Sequence, residues 1–158
     1  MSTLVLVSSD NKHIHVDVDV IRKYSKVIDD MLECMGGDDL EIPIPILAEI
    51  LDAMVRFCKH HINNKDLILE TLKTKGWSNI PTWYKDFCLI DNRKYMHLLL
   101  CSDFMDMPLL RTLLVKYMSI MIKGMTSTQI RFMFGCAPLT PDQQNKIDAM
   151  FSWHSKCI

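Results

Sequence analysis

The chain has 158 residues, of which 49% are hydrophobic, values that fit a single folded domain with an extension. A chain of this length buries enough surface to fold without disulfide bonds or a structural metal, which excludes disorder as its main state. Its formal net charge of -1, from 18 basic and 19 acidic side chains, offers no positive field to a nucleic acid partner.

The targeting signals of secreted and membrane proteins are not found in this sequence. The first apolar run has no basic segment before it and breaks at Ser8-Ser9-Asp10, so no secretory signal is expected. No uncharged apolar stretch reaches about 18 residues, so neither a transmembrane helix nor a membrane partner is predicted. The six cysteines are scattered without a Cys-x-x-Cys pair, which favours reduced thiols and a cytoplasmic and nuclear location.

The first part of the chain predicts a small sheet and two short helices. Short polar side chains are placed to cap both helices, Asp17 or Asp19 for the first and Ser25 for the second. Pro43 and Pro45 lack the N–H group that a central strand needs, so their segment is predicted as an edge strand. The expected elements are a hairpin over residues 3–7 and 13–16, helices over 17–24 and 27–35, and the edge strand over 41–46.

A longer helix is predicted to follow. Its apolar residues recur at helical spacing and are Leu47, Ile50, Leu51, Met54, Val55 and Cys58. Asn63-Asn64-Lys65 is expected to end it. Residues 1–62 are therefore predicted to form the α/β part of a domain, and residues 63–80 a mainly irregular loop with room for one helical turn.

The rest of the chain is predicted to be helical. Asp91 is placed to cap a helix through Asp103, and Pro108 suits the first position of a helix that Gly124 ends. Two further helices are indicated by capping-box spacing, Thr126 with Gln129 and Thr140 with Gln143. We predict the remaining helices of the first domain over 81–107 and a helical extension over 108–158.

The last two predicted helices carry apolar stripes that one short helix pair cannot bury. The stripes are Ile130, Met133 and Phe134, then Ile147, Met150, Phe151 and His154, with Trp153 adjacent. Either they pack on the preceding helices or a partner covers them. The density of Met and aromatic residues is typical of interface hot spots.

The sequence predicts no catalytic residue, no cofactor and no metal site. His13 and His15, and Cys58 with His60 and His61, are metal-ligand types, but no second pair is spaced to complete four zinc ligands. Phosphate-binding glycine loops and a nucleophile elbow are absent from the sequence. An enzyme that uses a reactive cysteine stays as an alternative.

A series of short blocks makes the sequence recognisable. They are Val5-Leu6-Val7-Ser8-Ser9-Asp10, Val16-Asp17-Val18, Met31-Leu32-Glu33, Ile42-Pro43-Ile44-Pro45, Phe57-Cys58-Lys59-His60-His61, Ile80-Pro81-Thr82-Trp83, Met121-Ile122-Lys123-Gly124, Gln129-Ile130-Arg131 and Trp153. In this order the chain resembles the S-phase kinase-associated protein 1 family, the adaptors that hold F-box proteins in SCF ubiquitin ligases.

The resemblance implies a mainly helical α/β fold, a BTB/POZ-type domain with a small N-terminal sheet and a C-terminal helical extension. It implies a non-catalytic adaptor that links F-box substrate receptors to the N-terminal domain of a cullin. The residues that it assigns to F-box binding are Leu113, Met121, Ile122, Ile130, Phe134, Ile147, Met150, Phe151 and Trp153.

Two of the departures from the family pattern are single sites that bear on function. Asp103-Phe104 stands where members usually carry Asn-Tyr on the cullin-facing helix end, and Tyr84 replaces an acidic residue. These changes favour a diverged paralogue, and the alternative is an F-box partner or self-associating scaffold, a homodimer when alone, that has lost the cullin. In some protist members the proline matching Pro141 is hydroxylated and glycosylated, although Thr140-Pro141 also makes an ordinary helix start.

Overall fold

The computed structural model describes residues 3–35, 41–64, 69–74 and 76–152. The strands are β1 (Thr3–Val7), β2 (His13–Asp17) and β3 (Glu41–Pro43). The helices are α1 (Val18–Arg22), α2 (Lys26–Met35), α3 (Ala48–Asn63), α4 (Leu69–Thr74), α5 (Thr82–Cys88), α6 (Asn92–Phe104), α7 (Pro108–Met121), α8 (Ser127–Met133) and α9 (Pro141–Met150), with a 3-10 turn at Trp77–Asn79. The predicted fold class, mainly helical with a small N-terminal sheet, is confirmed.

The three strands form one sheet in the order β2-β1-β3. β1 pairs antiparallel with β2 and parallel with β3, so that Leu6 lies beside Ile14 and Ile42. Alternate residues of β1 point into the core, and Leu4 and Leu6 are fully buried. The predicted hairpin is confirmed, and β3 is an edge strand as expected, but it ends at Pro43 and not at residue 46, because the chain turns there and the Ile46 amide donates to the Ile44 carbonyl.

Both predicted caps at the start of the chain are confirmed. The Asp17 carboxylate accepts a hydrogen bond from the Asp19 amide at 2.9 Å, which satisfies a free N–H of the first turn of α1. Ser25 Oγ accepts one from the Ile28 amide at 3.3 Å and donates one to the Met105 carbonyl at 2.7 Å. The second cap therefore also attaches the start of α2 to the turn that follows α6.

Helix α3 provides the central apolar face of the core. Its buried residues include Ile50, Leu51, Met54, Val55, Phe57 and Cys58, which lie on one side of the helix. Asn64 follows its last turn, and its backbone N–H donates to the carbonyls of His60 and His61. The predicted helix and its end are both confirmed.

The segment predicted as a loop contains ordered elements. Helix α4 lies within it, Leu72 on that helix is buried, and the 3-10 turn follows. Helix α5 comes next and lies in the 81–107 region predicted to be helical, although no bounds were predicted for it. It has seven residues, of which Tyr84, Phe87 and Cys88 are buried, so the apolar repeat of a longer helix never develops.

Helices α6 and α7 begin as predicted. The Asp91 carboxylate accepts hydrogen bonds from the amides of Arg93 and Lys94, at 3.1 and 3.4 Å, and caps α6. Pro108 occupies the first position of α7. The Tyr95 hydroxyl on α6 donates to the Leu114 carbonyl on α7, and both residues are buried, so the two helices share a polar contact inside the core.

The chain divides into two compact units, residues 1–120 and 121–158. The second unit contains α8 and α9, each of which begins with a complete capping box. Thr126 accepts from the Gln129 amide at 3.3 Å while Gln129 Oε1 accepts from the Thr126 amide at 2.8 Å. None of the helices in the described ranges has the length and apolar character needed to cross a membrane.

Candidate protein-interaction surfaces

The second unit exposes its apolar side chains instead of burying them. Neither α8 nor α9 has a single buried residue. Phe132 is 86% exposed and Met150 is 73% exposed, and Phe134, Ile147 and Phe151 are exposed as well. Several large apolar side chains exposed on one pair of helices are typical of a surface that a partner covers. We call this set, with Met121, Ile122, Met125 and Ile130, the second-unit surface.

Most of the residues predicted to bind an F-box fall on the second-unit surface. Phe134, Ile147, Met150 and Phe151 are exposed there. Met121, Ile122 and Ile130 are half-buried. Trp153 lies outside the described residues.

Leu113 is the member of the predicted set that does not belong to this surface. It lies on α7 in the first unit and is fully buried, together with Leu110 and Leu114. A side chain with no exposed area cannot contact a partner directly. We therefore assign Leu113 to the core and remove it from the F-box set.

Phe132 was not singled out from the sequence. It stands two residues after Ile130, on the side of α8 away from the apolar stripe. A large aromatic residue on the polar side of a short amphipathic helix was the signal that could have identified it. Its near-complete exposure extends the apolar surface to both sides of α8.

A second apolar surface lies on α6, in the first unit. Leu100 and Phe104 are 64% and 53% exposed and stand four residues apart, so they are neighbours on one side of the helix. We call them the α6 pair. Phe104 was predicted to face the cullin, whereas Leu100 was missed because one exposed leucine on a helix carries no signal of its own.

The negative charge that Asp103 brings next to the α6 pair is balanced within the chain. Arg111 Nη1 lies 2.6 Å from Asp103 Oδ1 and 4.0 Å from Asp106 Oδ1. The side chains of Asp103 and Arg111 are 69% and 39% exposed, so the ion pair is worth little stability. Its effect is electrostatic, because the guanidinium of Arg111 offsets the negative charge that the Asp103 carboxylate would otherwise present to a partner at the α6 pair.

Tyr84, the residue that replaces a family acid, is part of the core. Its ring is buried, His61 Nδ1 lies 2.8 Å from its hydroxyl oxygen, and the hydroxyl donates to the Asn64 carbonyl at 3.1 Å. Which atom donates in the contact between His61 and Tyr84 depends on the tautomer of the imidazole. This substitution therefore acts inside the first unit, at the end of α3.

Pro141 occupies the first position of α9, directly after the Thr140 cap, and it is exposed. The missing N–H of proline costs nothing at this position, so helix capping alone accounts for the Thr-Pro pair. Modification of Pro141 stays a prediction.

The thiols in the described ranges are buried, half-buried or exposed, and Cys101 is the half-buried one. Burial raises the pKa of the Cys58 thiol to about 12 and that of the Cys88 thiol to about 12. Cys34 and Cys136 are exposed. Within the part of the chain that the structure covers, no three His, Cys, Asp or Glu side chains are grouped to hold a metal ion.

Thiol labelling at pH 8 should separate these groups. We expect Cys34 and Cys136 to react with a maleimide at least about 100-fold faster than Cys58 and Cys88, because the thiolate is the reacting form and burial also limits access. Peptide mass mapping at successive times gives the four rates. Unfolding in urea should make the rates converge, and a fast reaction at Cys58 or Cys88 in the folded chain would revive the reactive-cysteine hypothesis.

Comparison with known proteins extends over both units. The family model described as "Skp1 family, tetramerisation domain" matches residues 2–63. The "SCF ubiquitin ligase complex protein SKP1b" and "SKP1a" of Dictyostelium discoideum are each 30% identical over 156 residues, 97% of this chain and 96% of theirs. The "E3 ubiquitin ligase complex SCF subunit sconC" of Aspergillus fumigatus is also 30% identical, over 97% of this chain and 98% of its own.

Proposed function

Because this chain belongs to the Skp1 family, we propose that it is the non-catalytic adaptor of an SCF ubiquitin ligase, linking F-box substrate receptors to a cullin scaffold. The first unit has the BTB/POZ-type fold of that family. The observation that carries the proposal is the second-unit surface, built by two helices that bury none of their own residues. Such an adaptor acts by position, since holding a substrate near the ligase raises its effective concentration.

The second-unit surface has the chemistry of an interface with a helical, apolar partner. Its exposed members are three phenylalanines, two methionines and an isoleucine, and residues of the aromatic and Met types are enriched in interface cores. Apolar side chains at helical spacing on both α8 and α9 suit a partner that inserts its own apolar helix faces. An F-box, which the resemblance names as the occupant, is our proposal for that partner.

The two capping boxes support the same assignment. A helix without a buried face receives little stabilisation from packing, so α8 and α9 depend on their local hydrogen bonds. Thr140 Oγ1 accepts from the Gln143 amide at 3.3 Å, and Gln143 Oε1 accepts from the Thr140 amide at 3.0 Å. Helices that are already capped lose less entropy when a partner binds.

We assign the cullin to the α6 pair. The pair is apolar and exposed, it includes the predicted Phe104, and Arg111 balances the neighbouring Asp103. A phenylalanine keeps the aromatic area of the usual tyrosine and loses only its hydroxyl. We therefore propose a retained cullin contact that depends more on apolar burial than on hydrogen bonding.

Replacing Leu100 and Phe104 with serine should weaken cullin binding by about 30-fold to 1,000-fold, since each buried apolar side chain at an interface is worth about 1–2 kcal/mol. Affinity for a cullin N-terminal domain can be measured by calorimetry on the complex of this chain with an F-box domain. The variant should still hold the F-box. Leu89→Ser is the matched control, because Leu89 is 66% exposed in the same unit but outside α6.

Equal cullin affinity for the variant and the control would contradict the assignment of the α6 pair. A wild-type chain that holds an F-box and binds no cullin domain would favour the second candidate, an F-box partner or self-associating scaffold without a cullin. The Asp103-Phe104 departure is the observation behind that candidate. A homodimer formed by the free chain and dissociated by an F-box domain fits either one.

The adaptor function itself is tested by reconstitution. A cullin scaffold with its catalytic partners, an F-box protein and that protein's substrate are combined with and without this chain. We expect ubiquitin transfer to the substrate only when the chain is present. Transfer at the same rate in its absence would overturn the proposal.

A further inference from the structure

The first unit contains a cleft of about 420 Å³ that belongs neither to the α6 pair nor to the second-unit surface. We propose that it binds a small organic anion with an apolar body, of the aryl carboxylate class. The volume lies at the lower end of the range of pockets that hold small molecules, roughly 300–1,000 Å³. The inference rests on the first unit alone, so it stands whether or not the chain acts as an adaptor.

The walls of the cleft suit the apolar part of the ligand. Tyr24, Leu69, Pro108 and Leu109 line it. The ring of Tyr24 meets the ring of His61 edge-on, with centroids 5.4 Å apart, which holds the aromatic wall in place. Burial raises the pKa of the Tyr24 phenol, so this wall carries no negative charge at neutral pH.

Two lysines provide positive charge for the anionic part of the ligand. Lys23 and Lys26 both line the cleft and are exposed to water. Among the described residues, no ion pair within 4.0 Å involves either ammonium group. Two unpaired cations beside an apolar wall are complementary to a ligand that carries a carboxylate on a hydrophobic body.

The other charged side chains that line the cleft are engaged elsewhere. Arg22 Nε lies 2.6 Å from Asp29 Oδ1, and this pair neutralises itself. Asp106 Oδ1 lies 4.0 Å from Arg111 Nη1. The charges that remain available to a ligand are therefore positive.

The backbone around the cleft is fixed before any ligand arrives. Ser25 Oγ donates to the Met105 carbonyl at 2.7 Å, and the Lys26 amide donates to the Asp106 carbonyl at 3.3 Å. These bonds attach the α1–α2 junction, which carries both lysines, to the turn before α7. Pro108 and Leu109 are the first residues of that helix. A preformed site avoids the cost of ordering its walls on binding.

A matched pair of compounds tests the proposal. Biphenyl-4-carboxylate and its neutral carboxamide have the same apolar body and differ in charge. Nitrogen-15 NMR titration of the full chain should show saturable shifts of the Tyr24, Lys26 and Leu109 amides with the carboxylate. We expect the carboxamide to bind about fivefold more weakly, since two exposed charge contacts contribute roughly 1 kcal/mol together.

The double variant Lys23→Gln, Lys26→Gln should reduce carboxylate affinity about fivefold and leave carboxamide affinity unchanged. Lys59→Gln with Lys73→Gln is the matched control, because both side chains are exposed in the same unit and the change in net charge is equal. Equal affinities for the two compounds would overturn the proposal. So would shifts confined to residues 121–152, or no saturable shift of the cleft amides at millimolar concentration.

Discussion

Replacing Ile147 and Met150 with serine is expected to weaken binding of an F-box domain by about 1,000-fold, because interface hot spots cost about 2 kcal/mol or more each. The two residues stand three positions apart on α9 and are both exposed, so a partner's helix can contact them together. Light scattering after size-exclusion chromatography should show a one-to-one complex for the wild type and separate chains for the variant.

This variant should fold as the wild type does, since α9 has no buried residue to lose. The far-ultraviolet circular dichroism and melting temperature of the free chain test that expectation. Leu47→Ser with Leu89→Ser changes two exposed leucines of the first unit and should leave the complex intact. If the α9 variant keeps its F-box partner at wild-type affinity, the second-unit surface does not bind the F-box.

Replacing Leu113 with alanine is expected to lower the free energy of unfolding of the free chain by about 2–5 kcal/mol, the usual cost of a cavity left by a buried leucine. Leu113 has no exposed surface and packs in the same unit as Leu110 and Leu114. Urea unfolding followed by circular dichroism gives the change. The cavity lies in the core of the chain itself, so the loss of stability should be measurable without a partner.

F-box binding separates the core role of Leu113 from an interface role. At low temperature and low urea, the folded fraction of Leu113→Ala should bind an F-box domain with an affinity close to that of the wild type. A variant with wild-type stability and a lost F-box complex would return Leu113 to the interface.

The parts of the fold that sequence could predict are those with a local cause. Asp17, Ser25 and Asp91 cap helices through bonds to residues two or three positions ahead, so the sequence alone contains the whole motif. The face of α3 is equally local, because the same apolar spacing recurs over four turns. Helix α5 is too short for such a repeat, and its existence depends on Tyr84 and Phe87 packing in the core.

In the candidate sites, too, the sequence predicts only the features that have a local cause. Periodicity places Leu113 and Ile147 on apolar helix faces alike, and only the packing of neighbouring elements buries the first and exposes the second. The Arg111 partner of Asp103 lies eight positions away on the next helix. The spacing rules for ion pairs within one helix therefore do not predict this contact. The cleft beside Lys23 and Lys26 is formed by four separate segments of the chain, so no local sequence motif predicts it.

Pro43 at the end of β3 and Pro45 just after it have a consequence for self-assembly. Successive amides of a strand point to opposite sides, and the Ile44 amide points inward, donating to the Val7 carbonyl at 2.8 Å. The nitrogen of Pro43, the last residue of β3, therefore stands on the outer side, where an incoming strand would need a donor, and Pro45 just beyond the strand has no N–H to donate either. A chain that carries an uncovered apolar surface is thus protected along this border against indefinite polymerisation by strand addition.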